Sequence, residues 1–183
     1  MRVITGTARG RKLVTPEGLD TRPTTVMVKE SIFSIIQFEI MGARVLDLFA
    51  GSGQLGIEAL SRGAQSADFV DSDRRAITAV RQNLDSTGFA DRARVYPMEA
   101  QAYLSGAAGR YDIAFLDPPY HHGLAAQALP EVAKRMESSG VIVCETQRDE
   151  ELPEEAGVFR LYRTYRYGKI MLHVYRGREG DEA

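Results

Sequence analysis

The chain of 183 residues has room for one domain with a sizeable core, and its 44% hydrophobic and 26% charged content is ordinary for a globular protein. No run approaches the about 18 apolar residues of a membrane span, and Met1-Arg2-Val3-Ile4-Thr5-Gly6 lacks the apolar stretch of a signal peptide. A lone cysteine, Cys144, in an apolar stretch excludes an internal disulfide and reads as a core filler, so a cytoplasmic protein without a membrane partner is expected, and nothing in the sequence demands more than a monomer.

Net charge is −2, but its distribution is uneven. Residues 1–13 carry Arg2, Arg9, Arg11 and Lys12 with no acid, and residues 160–178 carry Arg160, Arg163, Arg166, Lys169, Arg176 and Arg178 with none. Basic tracts on a near-neutral protein can hold a phosphate backbone, although solvated strand faces would read the same way.

Residues 2–14 read as two short strands around Ala8-Arg9-Gly10, forming a hairpin. A loop containing Pro16, Gly18 and Pro23 follows, and Thr24 or Thr25 can cap a helix that runs to about Ile40, with Ile32, Phe33, Ile35, Ile36 and Ile40 on its apolar face. From Ala43 onward strands alternate with helices. Strands are expected at 44–49, 67–71, 93–96, 111–116, 140–145, 158–165 and 169–175, and helices at 54–62, 74–87, about 99–105 and 124–137. Such alternation predicts an α/β fold with a seven-stranded, mostly parallel sheet covered by helices on both faces, and Gly168 marks a closing antiparallel hairpin. Residues 1–40 read as a hairpin-and-helix extension of the unit formed by 41–183.

After the first of these strands comes Gly51-Ser52-Gly53-Gln54-Leu55-Gly56, a G-x-G-x-x-G match that opens a helix, with Asp71 twenty residues after Gly51 at the end of the next strand. This is the dinucleotide pattern in its required context, so a nicotinamide cofactor competes. Asp47 separates the candidates. A pyrophosphate wants the bare helix N-terminus and would be repelled by a carboxylate on the adjacent strand, whereas S-adenosylmethionine carries an ammonium and a sulfonium that a carboxylate suits. The expected cofactor is therefore S-adenosylmethionine. Asp47, Ala50, Gly51 and Gly53 would lie against its methionine portion, Asp71 would accept from the ribose hydroxyls, and Glu99 with Ala100 would lie against the adenine. Each acid has a plainer reading: Asp47 as a strand-end acceptor of neighbouring amides, Glu99 as a helix-start acid, and Asp73 as a rival to Asp71 unless it caps the next helix.

A second cluster ends the fourth strand: Ile113-Ala114-Phe115-Leu116 delivers Asp117-Pro118-Pro119-Tyr120 to one spot. Prolines stop a strand, since each lacks an N–H and fixes its own φ, and open α/β sheets bind ligands beyond their strands' carboxyl ends. The Asp117 carboxylate and the Pro118 carbonyl are both acceptors, and an exocyclic amine supplies two donors. Held out of the ring plane, such an amine frees its lone pair for attack on a methyl group, a positional and electrostatic gain. Pro119 fixes the loop, and Tyr120 offers a flat face to a base that is flipped out or already unpaired. His121 and His122 follow without His or Cys at ligand spacing, so no metal site is expected.

"TARGRKL", "RPTT", "DLFAGSGQLGIEALSRGA" and "DPPY", in this order, resemble the bacterial 16S rRNA (guanine-N2)-methyltransferase family from Arg2 to about Tyr175. The resemblance implies a Rossmann-like class I methyltransferase fold and N2 methylation of one guanine in 16S rRNA of the small ribosomal subunit. It implies an RNA-contacting hairpin bearing Arg9, Arg11 and Lys12, with Arg22 and Thr24-Thr25 near the cofactor mouth. Arg2, Arg166 and Tyr120 complete the expected nucleic-acid contacts. Val26-Met27 replace an acid and a base that the family usually has, Asp71 stands where Glu is frequent, and Glu99 where Asp or Asn is common. A DNA amino-methyltransferase acting on adenine N6 or cytosine N4 would use the same Asp-Pro-Pro-Tyr, but 183 residues leave little room for a target-recognition domain. An NAD-dependent oxidoreductase is disfavoured by Asp47 and the proline loop, and a non-catalytic RNA chaperone by the intact Asp-Pro-Pro-Tyr.

Overall fold

Strands β1 (Arg44–Leu48), β2 (Ser66–Asp71), β3 (Ala93–Pro97), β4 (Tyr111–Leu116) and β5 (Met136–Gln147) run parallel, side by side in the order β3-β2-β1-β4-β5. β1 and β4 are apolar on both faces because helices cover both sides, the usual condition of a parallel sheet. The computed structural model describes residues 1–16, 26–106 and 109–178. On one face of the sheet α1 (Val26–Ile35), α2 (Gln54–Ser61) and α3 (Arg74–Thr87) pack over Val45, Phe69, Ile113 and Phe115. On the other, α4 (Ala100–Gly106) and α5 (Leu124–Ala133) pack over Leu46, Leu48, Ala114 and Leu116. The alternation of these residues along β1 and β4 is the period-2 signature of side chains leaving a strand in opposite directions. No described helix is long and apolar enough to cross a membrane.

The sheet continues antiparallel beyond β5, through β8 (Ile170–Gly177), β7 (Phe159–Tyr167) and β6 (Glu155–Ala156). Gly168, at φ 62°, turns β7 into β8 as its sequence position predicts. Two boundaries differ from expectation. The short β6 makes eight strands rather than seven. α5 ends at Ala133 rather than 137 because Met136 already pairs with Tyr111, so β5 begins four residues early and shifts register before Ile113 meets Val141. The helical look of Lys134-Arg135-Met136-Glu137 gives way to that pairing. Cys144 lies buried in β5, where burial pushes its thiol pKa up.

Two further corrections concern the N-terminus. Helix α1 ends at Ile35, and Ile36 to Glu39 form a turn instead of a last helical stretch. The expected Thr24 or Thr25 cap lies outside the described residues. The predicted hairpin is not a two-stranded ladder: one bridge joins Arg2 to Lys12, supported by Val3 N–H to the Arg11 carbonyl and Leu13 N–H to the Met1 carbonyl. The reason is that the inner amides are committed elsewhere. Ile4 and Thr5 donate N–H bonds to the Glu58 carboxylate at 2.8 and 3.1 Å, Ala8 donates to Ser61 Oγ at 3.0 Å, and Thr7 to the Ser61 carbonyl at 2.9 Å, all on α2. Glu58 is fully buried and also receives Lys29 Nζ at 3.1 Å and Arg62 Nε at 3.2 Å. Gly6, at φ 93°, fits because a Cβ there would sit 1.8 Å from the Ser61 carbonyl oxygen.

Candidate active site at the switch point

Strand order reverses between β1 and β4, and a cavity of about 600 Å3 opens beyond the carboxyl ends of these two strands. This is where a doubly wound sheet leaves a crevice. Asp47 from β1, Gly51 and Ser52 from the glycine loop, Asp71 from the end of β2, Glu99 and Ala100 at the start of α4, and Asp117, Pro119 and Tyr120 after β4 all line it. Residues far apart in sequence thus meet on one wall, as their strand-end positions predict.

The glycine loop owes its shape to backbone hydrogen bonds, to left-handed turns that glycine takes freely, and to close packing. Ala50 N–H bonds the Val70 carbonyl and Gly53 N–H bonds the Ala50 carbonyl, while Gly51 and Gly53 take φ of 59° and 79°. Gly53 starts α2 and packs on Phe69 and Val80 rather than lining the cavity. At Gly56 a Cβ would come within 2.4 Å of Phe69, and its N–H bonds Asp47 Oδ2 at 3.0 Å. The third glycine therefore serves helix–sheet contact and the orientation of Asp47 together. Phe49, which sequence reasoning did not single out, takes φ 64° on the cavity wall. A left-handed phenylalanine costs about 1–2 kcal/mol, and strain of this kind gathers at functional sites.

Asp47 is 1% exposed, and burial raises its carboxyl pKa from 3.8 to about 8, offset in part by the Gly56 N–H and reinforced by Asp71. Asp71 is also shifted upward by burial; its oxygens accept from Gly51 N–H and Asp73 N–H, both at 2.9 Å, which fixes the plane of the carboxylate. Asp73 caps α3 through Arg75 N–H at 2.8 Å and pairs with the Arg75 guanidinium, so it has the structural task expected of it although it borders the cavity. Five acids line the cavity (Asp47, Asp71, Asp73, Glu99 and Asp117), with no lysine, arginine or histidine among the described residues. Gln54, also on the wall, keeps its Oε1 buried without a hydrogen-bond partner. Such an acceptor-rich surface suits a cationic ligand that brings donors, and opposes a pyrophosphate.

After β4, Asp117 and Pro119 reach the cavity while Pro118 lies buried and does not line it. The Tyr120 hydroxyl donates to Glu145 Oε1 at 2.7 Å. Glu145 is 3% exposed in β5; its sign in the sequence was an acid at the end of the apolar run Val141-Ile142-Val143-Cys144. His121, at φ 64°, gives its N–H to Glu150, whose other oxygen holds Gln147 N–H, so the loop is pinned to the end of β5.

Of the expected nucleic-acid contacts, Arg2, Arg9, Arg11 and Lys12 are exposed on the N-terminal segment, Arg166 is exposed near the β7–β8 turn, and Tyr120 is half-buried. Arg22 lies outside the described residues. Part of the C-terminal basic tract is internally neutralised, with Arg160 and Arg178 at Glu155 and Arg176 at Glu39.

This sheet order, with a glycine loop and an acidic crevice at its reversal, is the Rossmann-like class I methyltransferase fold. A family model described as "Conserved hypothetical protein 95" matches residues 1–176, and the chain belongs to that family. It is 44% identical to "Putative rRNA methyltransferase YlbH" of Bacillus subtilis, over 97% of this chain and 100% of the relative. It is 35% identical to "Ribosomal RNA small subunit methyltransferase D" of Escherichia coli K12, over 96% and 89%. The solved structure "Putative methyltransferase yhhF from Escherichia coli" superposes with a TM-score of 0.87 at 34% identity, covering 97% of each chain.

Proposed function

We propose that this protein is an S-adenosylmethionine-dependent rRNA methyltransferase that modifies the exocyclic N2 of one guanine in small-subunit rRNA. One observation carries the reading: the acidic cavity that fits a cationic cofactor is closed on one side by Asp117 and Tyr120, the groups suited to a base amine. Its curated relatives, named as rRNA methyltransferases over nearly the whole chain, support the same reaction class.

S-adenosylmethionine, when bound, supplies an electrophilic methyl group. Asp47 and Gln54 would hold the cationic methionine end, and Asp71, fixed by two backbone amides, would accept from the ribose hydroxyls with its remaining lone pairs. Glu99 and Ala100 would flank the adenine. Asp117 would accept an N–H of the target amine and hold the nitrogen lone pair toward the reacting carbon, an effect of positioning and fixed charge. Tyr120, its hydroxyl tied to Glu145, presents its ring as a stacking face for the extruded base, worth about 1–3 kcal/mol. Arg2, Arg9, Arg11, Lys12 and Arg166 would hold the phosphates around it. Nothing in this scheme requires a metal ion.

The test is methyl transfer from labelled S-adenosylmethionine to unmethylated small subunits, naked rRNA and DNA in parallel, with the products digested to nucleosides and identified by mass. N2-methylguanosine from ribosomal material alone is the expected result. N6-methyladenine or N4-methylcytosine from DNA would keep the chemistry and overturn the substrate.

A further inference from the structure

The segment that leaves the basic N-terminal loop, Val14-Thr15-Pro16, reaches the cavity, and Thr15 and Pro16 line it. Gly51 and Ser52 of the glycine loop line the same cavity. One side chain joins the two. Asn83, on α3, is 1% exposed and does not line the cavity. Its Oδ1 accepts Val14 N–H at 2.8 Å, and its Nδ2 donates to the Val14 carbonyl at 2.9 Å and to the Ser52 carbonyl at 2.8 Å. The carboxamide thus pairs with both backbone groups of Val14, as a neighbouring strand would, while its remaining N–H holds the loop residue beside Gly51.

That geometry calls for one acceptor and two donors in a plane on a short stem, which asparagine alone supplies. Aspartate would offer no donor and would set a carboxylate against two carbonyls; glutamine would overshoot by a methylene. Val14 is itself 46% exposed, so its apolar side chain is not what holds the segment down.

We propose that Asn83 is a positioning residue for the cofactor: it clamps the 14–16 segment to the glycine loop and so completes a wall of the cavity without touching the ligand. The proposal rests on the cavity being the S-adenosylmethionine site. It also joins two parts of the molecule, because the clamped segment continues directly from Arg9, Arg11 and Lys12.

Titration calorimetry with S-adenosylhomocysteine tests it on the wild-type chain, Asn83→Ala, Val14→Pro and the double variant. Val14→Pro removes the N–H that Asn83 accepts and fixes φ there, at a partly exposed position, so it stays informative if Asn83→Ala folds poorly; Val14→Ala keeps that N–H and should bind as wild type. Each clamp-breaking variant should weaken binding by about tenfold, and the double variant by no more than the weaker single, since both act through one contact. Asn83→Asp should be as weak as Asn83→Ala. Wild-type affinity in Asn83→Ala and Val14→Pro, or penalties that multiply in the double variant, would overturn the clamp while leaving the cofactor assignment intact. Failure of the wild-type chain to bind would instead remove the cofactor assignment and the clamp with it.

Discussion

Two carboxylates of one cavity, Asp47 and Asp117, stand in different surroundings, and different tasks are proposed for them. Asp117 stands at the strand end where the target amine is proposed to lie, and Asp117→Ala should lower kcat by about 10²–10⁴-fold while changing the S-adenosylhomocysteine Kd by no more than a few-fold. Unaltered turnover would end its catalytic assignment. Asp47 is buried, and its carboxyl holds its proton to about pH 8 in the ligand-free protein. A cation seated there must displace that proton, so affinity should rise as pH goes from 6 toward 8 and level off above. Calorimetry at pH 7 in buffers of different ionisation heat should detect the proton released, and Asp47→Asn should abolish both the release and the slope. The same shift acts on folding: between 3.8 and about 8 the folded chain retains a proton that the unfolded chain has lost, so ligand-free stability should fall across that window. At this scale the placement of Asp47, Asp71 and Asp117 on one cavity was legible because strand ends and glycine spacing are local patterns. Phe49, Gln54 and Glu145 were not, since a left-handed φ, an orphaned amide oxygen and a bond to Tyr120 exist only once the chain is folded.

Helix α2 works at both ends. Its first turn closes the glycine loop, and its last turn receives the N-terminal segment on Glu58 and Ser61. The Glu58–Lys29 pair is buried on both sides, and burial lowers the Lys29 pKa against the pull of Glu58. Glu58→Ala would strand that ammonium and should cost about 3–5 kcal/mol; denaturant melting would measure the loss, and hydrogen exchange should show faster opening at Ile4 and Thr5. Most element types and positions in the parallel half followed from hydrophobic period alone. The N-terminal ladder misled because a glutamate within "GIEALSRGA" reads as a surface residue; its burial is created by donors more than fifty positions upstream, a relation no local window contains. The end of α5 misled for a similar reason, because pairing of Met136 with Tyr111 outweighs helix propensity.

Across the whole molecule, charge is divided between an acidic crevice and basic residues on the exposed N-terminal segment and the β7–β8 hairpin. Neutralising Arg9, Arg11 and Lys12 together should weaken rRNA binding and lower the slope of log K against log salt by about 1 per lost phosphate contact; an unchanged slope would return these residues to plain solvation. The manner in which the N-terminal segment is held has a further consequence for the chain as it is made. The amides of Ile4, Thr5, Thr7 and Ala8 find their partners on α2, and that of Val14 finds its partner on α3 at Asn83. At about 5–20 residues per second of synthesis, this segment, made before α2 and α3, must wait several seconds for the residues that satisfy its amides. The segment is therefore made before the helices that hold it and settles only after them, and through that interval Arg9 and Arg11 stand on a length of chain that has not yet been fastened.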